Sequence, residues 1–282
     1  MLVNLVIWAV IAFVTTVLCA TEPPPNLRLI QESHHQDLKN QKNDLAALLW
    51  DSYRVCLPED QNELDLNLSG ILKEMSDVDR ANILEKISHF TGLKSLNLRD
   101  NNISLLPKEI GNLSHLSTLY LDNNYLTHLP VEFGYLTQLT ELNLAQNRLS
   151  QFPLEILPLT NLRELTLYLN QVDGLPPEID KLVNLRKLDI SHNQITSLPF
   201  EIGGLTCLED LILCHNKIPL LPASIGNLGN LHILSLEGND LTAIPSVLTK
   251  LTQLKELDLR HNPLTQPSLN LPQMPNLIEY LV

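Results

Sequence analysis

His192 and His215 stand 23 residues apart, and Cys214 immediately precedes the second. Two imidazoles and a thiolate make a zinc donor set if the chain brings them together. Equivalent positions more often repeat a residue because the turn accepts it, so no metal is assigned here. His34-His35 lies in a polar stretch and carries less still. The chain has no P-loop, paired Cys-x-x-Cys, His-Glu-x-x-His or Gly-x-Ser-x-Gly signature. Its scattered Ser, His and Asp would form a triad only by accident, so no catalytic residue and no cofactor are expected. The repeated chemistry belongs to the carboxamides Asn101, Asn124, Asn147, Asn170, Asn193, Asn216, Asn239 and Asn262, spaced by 23 residues throughout. Each can donate to a backbone carbonyl and accept from a backbone N–H.

The elements that position them repeat with the same period. Leu93, Leu96 and Leu98 precede Asn101; Ile103, Leu106-Pro107, Ile110 and Leu113 follow it. The frame restarts at Leu116, Leu139, Leu162, Leu185, Leu208, Leu231 and Leu254, giving eight units without insertion. Such a period marks a solenoid, whose function sits on a repeated surface. Positions 4 and 6 of each unit alternate with polar residues, the periodicity of a strand. These strands stack in parallel about 4.8 Å apart. The Asn then satisfies a turn that no ladder covers, where each orphaned buried group would cost about 1–3 kcal/mol. The Leu-Pro-x-x-Ile segment crosses the back, and Pro keeps it extended or briefly helical rather than strand-paired. Gly marks the return turn at Gly111, Gly203 and Gly226, whereas Leu157 and Asp180 take that place elsewhere.

Only 5% of the 282 residues are aromatic against 44% hydrophobic, so many small aliphatic slots replace one large core. A net charge of −13 repels phosphate backbones, which argues against a nucleic-acid partner. Four cysteines give no disulfide framework. Cys207 and Cys214 bracket one strand, and seven strand residues span about 23 Å, beyond bridging distance. Cys56 lies several rungs from both, and Cys19 sits in the leader. Either the exporting cell does not rely on disulfides or the compartment is reducing. The sequons at Asn67, Asn102 and Asn112 are about as many as chance gives and say nothing about export.

Residues 1–20 read as a signal peptide, because 2–19 are nearly all apolar and Ala20 leads into Thr-Glu-Pro-Pro-Pro. The segment lacks a basic start and has Leu18 where a small residue is preferred, so an uncleaved membrane anchor is the alternative. Residues 21–43 are a polar linker. Residues 44–92 are expected to form a helical N-terminal cap with a degenerate repeat. It holds one helix from Asp44 to about Leu57, Leu64 and Leu66 in strand slots, Ser69 in the Asn slot, and a second helix over 77–90. Eight repeats fill 93–276, and 277–282 form a terminal partial repeat. That last edge could pair with another chain, making an oligomer possible, or simply fray.

The frame LxxLxLxxNxLxxLPxxIGxLxx resembles leucine-rich repeats of the 23-residue Ras-group type, over about two thirds of the chain. The resemblance implies an α/β leucine-rich repeat solenoid, a horseshoe with a parallel concave sheet. The convex side would be extended or short-helical, and the N-terminal cap helical. It further implies a non-catalytic module that binds a protein partner through concave positions 3, 5, 7 and 8. Tyr120, Tyr168, Leu169, Ile212 and Ile233 fall on that face, among Glu141, Glu164, Asp189 and Asp210. Apolar anchors ringed by charge are what a contact hot spot requires. The leader suits a secreted or membrane-anchored protein; a membrane-anchored Ras-group scaffold and a structural or adhesive spacer are the alternatives.

Overall fold

The computed structural model describes residues 65–265 and 275–281. The leader, the linker, the first expected helix, Cys19, Cys56 and His34-His35 lie outside the described residues.

Ten short strands form one parallel sheet in chain order. They are β1 (Asp65–Asn67), β2 (Ser95–Asn97), β3 (Thr118–Tyr120), β4 (Glu141–Asn143) and β5 (Glu164–Thr166), then β6 (Lys187–Asp189), β7 (Asp210–Ile212), β8 (Ile233–Ser235), β9 (Glu256–Asp258) and β10 (Glu279–Leu281). The central residue of each strand aligns with its neighbours, from Leu66 and Leu96 through to Leu257 and Tyr280. These leucines point inward and are buried, while the flanking residues remain accessible. The frame leucines and isoleucines pack between the sheet and the convex turns as one continuous core.

Each Leu-Pro-x-x-Ile segment forms a short 3-10 turn, such as Lys108–Asn112 and Phe200–Gly204, with Pro as the preceding residue. Pro107 and Pro199 both sit at φ −68, the value the ring favours. The result is a leucine-rich repeat solenoid with a parallel sheet on one side and short 3-10 turns on the convex side.

The degenerate first rung sits two residues later than the sequence suggests. Leu66 pairs with Leu96 and Asn67 with Asn97, so Leu68 fills the second core slot and Ile71, not Ser69, falls in the Asn place. Burial decides this register, because both Leu66 and Leu68 are fully enclosed. The rung is 30 residues long rather than 23, and helix α1 (Asp77–Ile87) occupies the extra length. Ser76 caps α1 by accepting from the Asp79 N–H at 3.2 Å. Arg80, buried in α1, donates to the carbonyls of Leu72, Lys73 and Met75 and pairs with Asp77. Among the described residues no helix is long and apolar enough to cross a membrane.

The expected carboxamide ladder is present in detail. Asn124 Oδ1 accepts from Ile103 N at 2.9 Å, and its Nδ2 donates to Leu98 O at 2.9 Å. The pattern repeats at Asn147, Asn170, Asn193, Asn216, Asn239 and Asn262, each oxygen reaching the residue 21 earlier. Asn101 serves the first rung, accepting from Leu72 N. All are buried except Asn262, which is half-buried. At the far edge β10 pairs with β9 on one side, and the Tyr280 hydroxyl is enclosed without a hydrogen-bond partner.

Candidate protein-binding face

Strand register fixes which candidate residues meet. Tyr120, Asn143, Thr166, Asp189, Ile212 and Ser235 form one row across β3 to β8. Thr118, Glu141, Glu164, Lys187, Asp210 and Ile233 form the next row. Seven of the nine candidates therefore fall into two groups on the strands. Tyr120, Glu141 and Glu164 lie together on β3 to β5, where the Tyr120 hydroxyl donates to Glu141 Oε1 at 2.7 Å. Asp189 neighbours Ile212, and Asp210 neighbours Ile233, on β6 to β8. Tyr120 and Ile212 are four strands apart and do not touch.

Electrostatics separate the rim from the centre. Arg99 pairs with Asp122 at 2.9 Å at one end, and Arg260 with Asp258 at 2.6 Å at the other. Between them, Glu164 and Asp210 have no ion-pair partner among the described residues, although Lys187 stands between them in register. Burial, the bond to Glu141 and the carboxylates of Glu141, Glu164 and Asp122 push the Tyr120 hydroxyl up to about 12. Burial also raises Asp122, against the pull of Arg99.

A third cluster runs along the strand ends. The Tyr168 ring meets His192 edge-on at 5.2 Å, and His192 lies over His215 at 4.3 Å with a tilt of 38°. Ring nitrogen lone pairs lie in the ring plane, so two stacked imidazoles do not converge on one ion. Among the described residues no group of three metal-ligating side chains is placed to hold a metal. Burial and the facing His215 lower the His192 pKa, while Asp189 and Glu237 oppose them. Cys214 lies 2.8 Å from the Ser235 hydroxyl, and burial raises its thiol above the ordinary range. Cys207 and Cys214 are both free.

The backbone beneath this cluster is left-handed. Position 8 of each repeat has positive φ, at Asp100, Asn123, Gln146, Leu169, His192, His215, Gly238 and His261. The conformation is held by cross-rung bonds such as His192 N to Cys214 O at 2.8 Å. Asp, Asn and Gly suit it; an aliphatic side chain costs about 1–2 kcal/mol. Leu169 nevertheless occupies it at φ 53, with its side chain 39% exposed beside Tyr168. The spacing alone pointed to His192 and His215, but not to their stacking or to the strain at Leu169.

A family model described as a leucine-rich repeat region matches residues 66–175 and 173–279. The chain belongs to the leucine-rich repeat family, which is generally non-catalytic. Among solved structures it is similar to a leucine-rich repeat protein of Leptospira interrogans. The two are 43% identical over 68% of this chain and 49% of that one, with a TM-score of 0.67. It is also similar to the plant peptide hormone receptor RGFR1, solved in complex with RGF2. That likeness has 29% identity, covers 70% of this chain and 37% of the receptor, and has a TM-score of 0.60. An internalin of Listeria monocytogenes, inlF, is 26% identical over 69% of this chain and 62% of its own, with a TM-score of 0.57. The chain thus spans about half the length of the Leptospira protein and less of the receptor. No curated protein matches it.

Proposed function

We propose that this chain is a non-catalytic binding module, exported or membrane-associated, that takes a protein partner across the concave face of its repeats. Leucine-rich repeat domains of receptor ectodomains and internalins typically bind proteins, and the similar plant peptide hormone receptor RGFR1 was solved in complex with RGF2. The observation that carries the reading here is Leu169. An aliphatic residue held in a left-handed turn and left in solvent lowers stability, and strain of that kind is retained where a surface needs the side chain. Tyr168 stands beside it, and two and three strands further along the same sheet Ile212 and Ile233 supply more apolar contact area, while Glu164 and Asp210 supply unpaired negative charge. The partner surface that fits is apolar at its centre and basic at its edge. The unbroken 23-residue period favours the Ras-group repeat type, and the apolar leader favours export or anchoring over a cytosolic role.

The test is affinity capture with the intact chain beside its Tyr168→Asp/Ile212→Asp form. Both side chains are half-buried on the open face of the sheet and outside the leucine core, so the variant should still unfold cooperatively as one folded chain and should lose the partner. Capture undiminished in the variant removes the concave assignment. N-terminal sequencing of the mature protein separates secretion, in which residues 1 to about 20 are lost, from anchoring, in which they stay.

A further inference from the structure

We propose that the convex side carries a second docking ridge, shaped and charged for a cationic amphipathic helix of a partner protein. The ridge does not depend on the concave reading. On four successive rungs the 3-10 turn opens with an exposed apolar residue followed by Glu: Val131-Glu132, Leu154-Glu155, Pro177-Glu178 and Phe200-Glu201. The apolar side chains are far from buried, at 73% for Val131, 57% for Leu154 and 69% for Phe200. Outside these rungs the pattern stops, because Lys108 precedes it and Ala223-Ser224 follows. Isolated exposed apolar residues are ordinary, but a bounded row of them on adjacent rungs is not.

Beside that row the four glutamates, extended by Glu109, form a line of like charge. None of these carboxylates has a hydrogen-bond or ion-pair partner among the described residues. Two of the three steps along the ridge are close stacks of one turn on the next. A β-carbon on Gly111 would sit 2.5 Å from the Glu132 carbonyl oxygen, and one on Gly134 would sit 3.3 Å from the Glu155 carbonyl oxygen. Along the ridge Gly134 nests against Glu155 and Gly204 against Asp180, whereas Leu157 takes the glycine place between the Leu154 and Pro177 rungs.

Geometry and charge together select the occupant. Rungs repeat at about 4.8 Å on the sheet side and slightly wider on the convex side of a curved ribbon. An α-helix advances about 5.4 Å per turn, so a helix along the ridge offers one residue per turn to each rung. Three helical turns, about 11 residues, cover all four. One face would set an aliphatic side chain against each of Val131, Leu154, Pro177 and Phe200, and the adjoining face a Lys or Arg against each glutamate. A second copy is a poor occupant, since the chain carries −13. Anionic lipid headgroups are repelled by the same carboxylates.

The probe is a stapled 14-residue helix with Leu on one stripe and Lys on the next, labelled for fluorescence anisotropy against the full chain. It should bind at least about tenfold tighter than its scrambled isomer, and a Glu-for-Lys version should not bind. Glu155→Lys/Glu178→Lys and Leu154→Ser/Phe200→Ser should each weaken it by at least about tenfold without moving the thermal midpoint. Tyr168→Asp/Ile212→Asp should leave it unchanged, which separates failure here from failure on the concave face. Binding no tighter than that of the scrambled peptide overturns the proposal, as does tight binding of the Glu version or indifference to the convex variants. So does partition of the chain into phosphatidylcholine vesicles that is lost in Leu154→Ser/Phe200→Ser, since it would give the row to lipid.

Discussion

The imidazole of His215 lies over Gly238, so closely that a β-carbon at Gly238 would stand 2.5 Å from His215 Nδ1. The glycine also holds φ +65, where other residues are strained. Gly238→Ala should therefore cost about 1–2 kcal/mol in chemical denaturation and turn the His215 ring off His192. The ring proton shifts of both histidines report the second effect. An unchanged pair of spectra would mean that Gly238 does not set the stack.

The ladder makes a graded expectation. In Asn193→Ala the buried Val172 N–H is orphaned, at about 1–3 kcal/mol, while the Leu167 carbonyl keeps its bond from Asn170 Nδ2. Asn262 makes equivalent bonds but is half-buried, so water replaces what Asn262→Ala removes. Urea unfolding should show the larger loss at Asn193. Equal losses would contradict a ladder whose strength comes from burial.

Leu169 links stability to binding with opposite signs. Leu169→Gly relieves the left-handed strain and keeps the Leu169 N–H bond to Ser191 O at 3.1 Å, so stability should rise by about 1 kcal/mol. Partner capture should fall in the same variant. A destabilised Leu169→Gly chain would show that the side chain serves packing rather than recognition.

Acid should weaken the fold through His192. Burial and His215 hold its pKa below the ordinary 6.5, and Asp189 and Glu237 only partly offset them. The unfolded chain then protonates first, so this contribution is complete above 6.5 and is lost as pH falls through that value toward the folded one. The thermal midpoint should drop more between pH 7.5 and 5 in the wild type than in His192→Asn, whose residue tolerates the left-handed turn. The subtraction cancels the carboxylates common to both chains. Equal drops would refute the assignment to His192.

How much was legible in the sequence follows from what each residue must do. Asn124 and its equivalents all bridge the same pair of backbone groups, so one unbroken period carried the repeats, the strand direction and the buried carboxamides. The first rung was misplaced by two residues because no Asn marks it and its length is 30 rather than 23, leaving only the burial of Leu68 to set the register. Arg80 was missed because its three carbonyl acceptors are gathered by a turn with no sequence signature. Spacing placed His192 and His215 on adjacent rungs, yet only side-chain geometry distinguishes a stack from a chelate. A signal for Leu169 did exist: its equivalents are Asp, Asn, Gln, His and Gly, and it alone is aliphatic. Reading it required knowing that the position is left-handed.

The concave assignment is tested most directly by photo-crosslinking with a benzophenone side chain at position 212, on the sheet, and at Val183, which is exposed away from it. Partner should be trapped at 212 and not at 183. Trapping at 183 with none at 212 would contradict the account.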